Sequence, residues 1–437
     1  MWFHEGTFYQ IYPLGYCGAE RWNDFGDVRH RLGKIADDIP RLKEMGVTAV
    51  LFNPLFESMS HGYDTVDFWR VDRRLGSNDD FKALVKEFHD AGIRVVLDGV
   101  FNHVGRKFYP FECVCKERES TFYRFWFQID FHSNNNYGDG FSYENWEGHN
   151  ELVKLRLENW DLQNYLMDAV RFWIDQFDID GLRLDVSYLL PEWFFEKLRQ
   201  TVNEKKHDFF LLGEVIHIGN FAKNVSESRL DSITNYECFK GMVSSVNSKN
   251  FFEIEFSLTR LFADVPWALY NGKKLFNFVD NHDVIRAYTA LKDRRDVFAL
   301  YGLLFSVPGI PCLYYGSEYA AEGDKSDFDY KLRPCIDELD RDKLPALTEF
   351  LGKLCAFRKS SRALAYGSYR KIWLQNKSLC FARETEGECV YACFNIDDAP
   401  VSFTAGDGMY ADALTGEEGP LSAVSVPAHG VRLLRGL

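Results

Sequence analysis

Short β-branched or aromatic runs alternate with longer amphipathic segments over most of the chain. The runs Thr7–Tyr12, Val47–Asn53, Arg94–Val100, Gly181–Val186, Phe209–Val215, Asp231–Tyr236, Leu275–Asp280 and Pro311–Tyr315 read as strands. Helical patterns fall between them at Ile39–Met45, Asp79–Ala91, Leu162–Phe177, Glu192–Lys205, Asp296–Phe305 and Leu347–Lys359. Eight strands alternating with helices predict an α/β protein whose parallel sheet closes into a (β/α)₈ barrel.

The alternation breaks twice. Residues 105–151 are rich in aromatic, Asn and Gly residues, with FHSNNNYGDGFSY at Phe131–Tyr143, and show no helical period. A long irregular stretch inside a compact domain is read as an inserted subdomain after strand three. Beyond Ser361 the pattern becomes short alternating runs between turns (YRKIWLQ, SLCFARE, CVYACFNI, VSFTAG, VRLLRG), which predicts a C-terminal antiparallel β-sandwich. The expected division is a barrel over 1–104 and 152–360, an insertion over 105–151 and a sandwich over 361–437. Trp373, Phe381 and Tyr391 are read as sandwich core rather than sugar platforms.

The length of 437 residues suits this plan. A formal net charge of −14 excludes a nucleic-acid binder, which needs clustered Lys and Arg, and is compatible with a neutral ligand. Ten scattered cysteines form no paired CxxC units, so no zinc site is expected. The start, MWFHEGTFYQIYP, has no basic segment followed by an apolar run, and no stretch approaches a membrane span. The expectation is a soluble cytoplasmic protein with reduced thiols.

Barrel enzymes carry their chemistry at the C-terminal ends of the strands. Four carboxylates occupy such positions: Asp98 in VVLDGVFNH, Asp185 in GLRLDVS, Glu214 in FLLGEVIH and Asp283 in FVDNHDV. They fall at strands three, four, five and seven. Cleavage of a glycosidic bond with retention needs two such groups, one attacking the anomeric carbon and one protonating the leaving oxygen. Arg183 lies two residues before Asp185 and so shares its strand face, where a cation favours the ionised nucleophile. Glu214 follows Phe209, Phe210, Leu211 and Leu212, whose desolvation raises a carboxyl toward a working acid. His103 and His282 supply hydrogen bonds for sugar hydroxyls. Taken singly, an Asp at a strand end is more often a helix cap and an Arg-x-Asp a structural ion pair; the ordered set carries the reading.

DGVFNH, GLRLDV, GEV and FVDNHD together resemble the four sequence regions of the α-amylase family, glycoside hydrolase family 13. The resemblance extends from FYQIYP through HGYDTVDFWRVD to GIPCLYYGSE. It implies Asp185 as nucleophile, Glu214 as acid/base and Asp283 as transition-state stabiliser. Tyr63, Asp64, His103, Arg183, His217, His282 and Arg286 are implied substrate-binding residues, with Arg286 expected to pair with Asp64. LVKLRLENWDLQNYLMD, Val186 after the nucleophile and His217 after GEV resemble the neopullulanase and cyclomaltodextrinase group, whereas VDRRLG and VDNHD depart from it.

The implied function is hydrolysis of α-1,4 and also α-1,6 glucosidic bonds in an oligosaccharide partner: maltooligosaccharides, cyclodextrins or related short α-glucans. An α-glucosidase or a glucan transferase or isomerase uses the same residues. A non-catalytic carbohydrate-binding homologue is expected to have lost a carboxylate, and none is lost here. Many family members bind Ca²⁺ through the residue matching Asn102, with oxygens such as those of Asp130 and Asp139. VSYLL lacks the histidine that accompanies that site, so no cofactor is expected.

Overall fold

The computed structural model describes residues 1–327 and 329–437. Its centre is a sheet of eight parallel strands: β1 (Phe8–Ile11), β2 (Ala49–Phe52), β3 (Arg94–Gly99), β4 (Gly181–Leu184), β5 (Phe210–Gly213), β6 (Ser232–Ile233), β7 (Phe276–Asn277) and β8 (Ile310–Tyr314). The order is β6-β5-β4-β3-β2-β1-β8-β7, and a parallel bridge between Thr234 and Phe276 joins its two ends into a closed barrel. Seven of the runs read from the sequence as strands contain one of these eight, trimmed by a few residues at the ends, and the eighth, Pro311–Tyr315, overlaps β8, which begins one residue earlier.

The outer ring is α1 (Ile39–Met45), α2 (Asn78–Asp90), α3 (Trp160–Phe177), α4 (Glu192–Asn203), α5 (Tyr236–Ser248), α6 (Phe252–Phe262), α7 (Val297–Ser306) and α8 (Pro345–Ser360). Ser77 starts α2 with a reciprocal cap: its hydroxyl accepts from the Asp80 amide, and the Asp80 carboxylate accepts from the Ser77 amide. Asn159 and Asn235 cap α3 and α5 in the same sense. The pair α5 and α6 between β6 and β7 lies outside the helical segments read from the sequence. Among the described residues, no helix is long and apolar enough to cross a membrane.

Side chains at alternate strand positions fill the barrel. Phe8, Ala49, Leu51, Val96, Phe210, Leu212, Phe276, Ile310 and Cys312 form one buried cluster, and Phe3 closes its foot with its ring 4.6 Å from Phe210. Nine such side chains leave no channel, so the mouth is the place open to a ligand.

After β3 the chain forms an irregular unit built on a three-stranded antiparallel sheet. In it His149–Lys154 pairs with His103–Gly105 on one side and Asn145–Trp146 on the other. The C-terminal unit is a six-stranded antiparallel sheet faced by the pair Val401–Phe403 and Val424–Val426. Phe381 and Tyr391 are buried, and Trp373 stacks on Phe403 at 5.3 Å, so all three serve its packing.

Two polar staples fix this sandwich to the barrel. Asp296, at the start of α7, is buried against Lys249 and takes the His429 ring at 2.6 Å, while the other His429 nitrogen meets Asp398 at 3.1 Å. Arg383 is fully buried among backbone carbonyls, donating to Ser306 and Gly367 at 2.8 Å each. Replacing it with Met strands those carbonyls in a dry interface. Arg383→Met is expected to cost about 2–4 kcal/mol, read as a lower denaturant midpoint. An unchanged midpoint would show that the carbonyl contacts merely offset the desolvation of the guanidinium.

Candidate active site

On five of the eight strands the inward track ends in a polar group at the mouth. On β1 it runs Phe8, Gln10; on β2, Ala49, Leu51, Asn53; on β3, Val96, Asp98; on β4, Gly181, Arg183, Asp185; on β5, Phe210, Leu212, Glu214. Register places Arg183 level with Asp98 on β3 and with Leu212 on β5. The same two-residue period that fills the core therefore delivers Asp98, Arg183, Asp185 and Glu214 to one spot.

Arg183 is the hub. Its Nη1 donates to both Asp98 oxygens, at 2.7 and 2.6 Å, and to Asp185 Oδ1 at 3.0 Å. Its Nη2 meets Glu214 Oε2 at 2.9 Å. Asp98 also accepts from Asn53 at 3.3 Å and from the Tyr63 hydroxyl at 3.1 Å. Burial raises Asp98, Asp185 and Glu214 above the usual carboxylate range, and Arg183 opposes the rise in each. For Asp185 the neighbouring Glu214 and Asp98 carboxylates add to the rise. Arg183 therefore acts on Asp185 in the direction expected from the sequence, but desolvation is the larger influence.

Asp283, after β7, keeps 34% of its side chain exposed, so a ligand reaches it directly. Burial acts to raise it, but His282, Arg333 and Arg183 hold it well below the usual range. His282 Nδ1 faces Gln10 Nε2 at 3.0 Å, which leaves its Nε2 to donate to Asp283 Oδ2 at 3.0 Å. Tyr63 stacks on the His282 ring at 5.6 Å and 11°, and its hydroxyl also contacts the ring edge.

His103 is buried, and burial pushes its pKa down to about 3, so it is neutral. Asn102 Nδ2 lies 3.1 Å from its Nδ1, which puts the proton on Nε2. That Nε2 is buried, has no partner among the described residues and stands 4.0 Å from Asp185 Oδ2. A buried donor left unmatched is costly, and a ligand hydroxyl entering here relieves it.

The expected Asp64–Arg286 pair does not form. Asp64 is buried one layer behind Tyr63, accepting from the Ser60 amide at 3.1 Å and hydroxyl at 2.6 Å. Arg286 follows a tight turn in which Asn281 Oδ1 accepts the amides of Asp283 and Val284. That turn sends Arg286 back beneath the mouth, against Asp280 at 3.6 Å, the Tyr315 carbonyl at 2.6 Å and the Tyr314 ring. The arginine that serves the mouth is Arg333, in the loop after β8. It donates to Asp283 Oδ1 and to the His282 carbonyl, both at 3.0 Å, and lies over Tyr12. Its signal in the sequence was weak, since no strand position marks it. Gln10 and Asn53 carried a signal, the inward period, that applies to polar residues as well as acidic ones. His217 is exposed on the rim three residues past Glu214 and has no hydrogen bond or ion pair among the described residues.

Beside Asn102 a cavity of about 450 Å³ opens between the inserted unit and the barrel, lined by Gln128, Glu144, Lys154, Arg156 and Leu189 among others. Lys154 Nζ lies 3.0 Å from Glu144. Asp139 is tied to Arg106 at 2.9 Å, and Asp130 accepts the amide of His132; neither lines the cavity. A second cavity of about 870 Å³ borders the mouth through Tyr12, Ser60 and Arg333.

A barrel mouth holding paired carboxylates around one arginine defines an enzyme of the barrel glycosidase class. Residues 10–363 match the model of the alpha amylase catalytic domain, and the chain belongs to that family of glycoside hydrolases. It is 30% identical to a cyclomaltodextrinase of a Bacillus species over 442 aligned residues, covering 95% of this chain and 77% of that one. It is 31% identical to neopullulanase 2 of Thermoactinomyces vulgaris, covering 100% and 78%. The solved structure of the cyclic alpha-maltosyl-(1→6)-maltose hydrolase of Arthrobacter globiformis shares the fold, with a TM-score of 0.82 at 23% identity over all of both chains.

Proposed function

We propose that this protein hydrolyses α-1,4 glucosidic bonds, and also α-1,6 bonds, in maltooligosaccharides, cyclodextrins and related short α-glucans. Asp185 attacks the anomeric carbon and forms a covalent glycosyl-enzyme. Glu214 protonates the leaving oxygen and then takes the proton from an incoming water. Asp283, held ionised, stabilises the positive charge that develops on the sugar ring. The observation that carries this reading is the bridge through Arg183, whose two terminal nitrogens reach Asp185 and Glu214 at 3.0 and 2.9 Å. It holds the two carboxyls side by side on one guanidinium, so that both can flank a single glycosidic bond. Tyr63, His103 and His282 line the subsite of the attacked glucose.

The cavity of about 870 Å³ beyond Tyr12 and Arg333 supports an oligosaccharide substrate over a single glucose unit. The relatives named for cyclomaltodextrin and pullulan point the same way. Calcium does not fit the cavity beside Asn102: its walls bring Lys154 and Arg156, whereas calcium requires a cage of six to eight oxygens. No step of the reaction is assigned to a metal.

The test is product analysis on β-cyclodextrin, pullulan, maltotriose and isomaltose, with Glu214→Gln as the control. Ring opening of cyclodextrin and release of small sugars from pullulan are expected. Release of single glucose units from maltotriose or isomaltose alone would replace this reading with that of an α-glucosidase. Longer products accumulating at high maltose would replace it with a glucan transferase.

A further inference from the structure

Ten described residues other than glycine have positive φ, and Val186 is the only β-branched one among them, at φ 38° and ψ 45°. A β-branched side chain disfavours this region strongly, because its two γ carbons crowd the backbone. The conformation persists only where surrounding contacts over-determine it, which occurs chiefly at functional sites. Val186 directly follows Asp185.

The Val186 carbonyl accepts from the Leu189 amide at 2.9 Å, and the other contacts that fix it lead to Glu214. The Val186 amide donates to Glu214 Oε2 at 2.9 Å. The Ser187 hydroxyl and amide donate to the Glu214 carbonyl at 2.6 and 3.1 Å. The Glu214 amide donates back to the Leu184 carbonyl at 3.0 Å. Gly213 completes the clasp, since a Cβ there would stand 2.7 Å from the Ser187 hydroxyl oxygen. The φ and ψ of residue 186 direct the chain that follows it, so an extended residue 186 would carry Ser187 on along the strand, away from the Glu214 carbonyl.

We propose that the segment through Val186 is a positioning element for the acid/base: its left-handed turn carries Ser187 onto the Glu214 carbonyl, and the Val186 amide, with Arg183, assigns the two Glu214 oxygens different tasks. Oε2 receives both the Val186 amide and Arg183 Nη2, each at 2.9 Å, so negative charge concentrates there. Oε1 is then the oxygen that carries the proton to the leaving group and takes one from water. The turn converts a carboxyl with two equivalent oxygens into one with a fixed acidic edge. Ser187 and Gly213 hold the peptide of Glu214 so that this edge keeps its aim.

The inference rests on Glu214 being the acid/base, and its test separates the two. Exchange of the residue-186 amide for an ester, with the valine side chain kept, removes the N–H donor and otherwise only weakens the Asp185 carbonyl as an acceptor. An amide donor favours the ionised carboxyl, so its loss moves the alkaline limb of kcat/KM for maltotriose up by about one unit. It lowers kcat about tenfold with KM nearly unchanged. An aryl α-maltoside with a good leaving group, which needs no protonation, releases its first equivalent of phenol within about twofold of the wild-type rate.

Val186→Gly keeps the amide and accepts the positive φ without strain. It is expected to hold the alkaline limb in place. An unmoved limb in the ester protein, or equal loss on both substrates, overturns the proposal; so does a glycine variant whose alkaline limb moves as far as that of the ester protein. A Glu214→Gln protein with full activity on maltotriose instead removes the reading on which it rests.

Discussion

Asp185→Asn and Glu214→Gln are expected to part company on one substrate and agree on another. On maltotriose both lose activity heavily: about 10⁴-fold or more for the nucleophile, and about 10³- to 10⁴-fold for the acid. On an aryl α-maltoside with a good leaving group, Asp185→Asn stays as impaired, because no other group is placed to attack the anomeric carbon. Glu214→Gln recovers the first step, since the phenolate leaves unprotonated, and stalls at the second, where a base must activate water. A burst of one equivalent of phenol in Glu214→Gln, absent in Asp185→Asn, is the diagnostic result. The reverse pattern would exchange the two assignments. The Asn variant is also expected to be more thermostable than wild type. Burial raises the Asp185 carboxyl, so as the folded protein it contributes stability at low pH that is lost as pH rises through its raised value. A neutral isostere escapes that loss, and its advantage at neutral pH fades as the pH falls into the ordinary carboxylate range.

The barrel was legible in the sequence because a buried parallel strand needs little besides a short apolar run and a helical crossover. The catalytic candidates were legible for the same reason. Asp98, Asp185 and Glu214 each extend an inward track that begins in the core, so the rule that predicts packing also predicts which acids face one another. Asp283 lies beyond the end of β7 and was found by its place after a strand rather than by an inward track. What escaped the reading lies in loops. Arg333 approaches Asp283 from 50 residues further along the chain, and nothing in DYKLRP marks it as a ligand-side residue. Arg286 was misplaced because nearness in sequence to Asp283 stood in for nearness in space; the Asn281 turn reverses the chain between them. The Val186 turn was invisible for a more basic reason. Valine is among the residues least suited to a left-handed backbone, so local propensity pointed away from the conformation that the Glu214 contacts impose.

Arg183 is where stability and catalysis depend on one side chain, and its replacement tests both. Arg183→Met leaves Asp98, Asp185 and Glu214 buried together without the guanidinium that contacts all three. All three already sit above the usual range because of burial, with Arg183 as the opposing influence, so its loss raises them further. The proposed mechanism needs Asp185 ionised while Glu214 holds a proton. Raising both moves the bell of kcat/KM to higher pH and leaves little ionised nucleophile at neutrality. A loss of about 10⁴-fold or more at pH 7 is expected, with the acid limb displaced upward. Stability follows the same sign. At low pH the three carboxyls are protonated in folded and unfolded chains alike, and the variant unfolds near the wild-type midpoint. As pH rises through the raised folded values of the wild type toward the still higher ones of the variant, the deficit grows to about 3–5 kcal/mol. Arg183→Lys discriminates charge from geometry. An ammonium keeps the positive charge beside Asp98 but cannot fork to Asp185 and Glu214 at once. It is expected to recover most of the stability and leave kcat/KM about 10²- to 10³-fold down. If lysine restored activity as fully as it restored folding, the bridge between the two carboxyls would count for nothing beyond its charge. A variant that folds like wild type at neutral pH and remains slow shows that the fork, by holding nucleophile and acid at one fixed separation, is what the reaction requires.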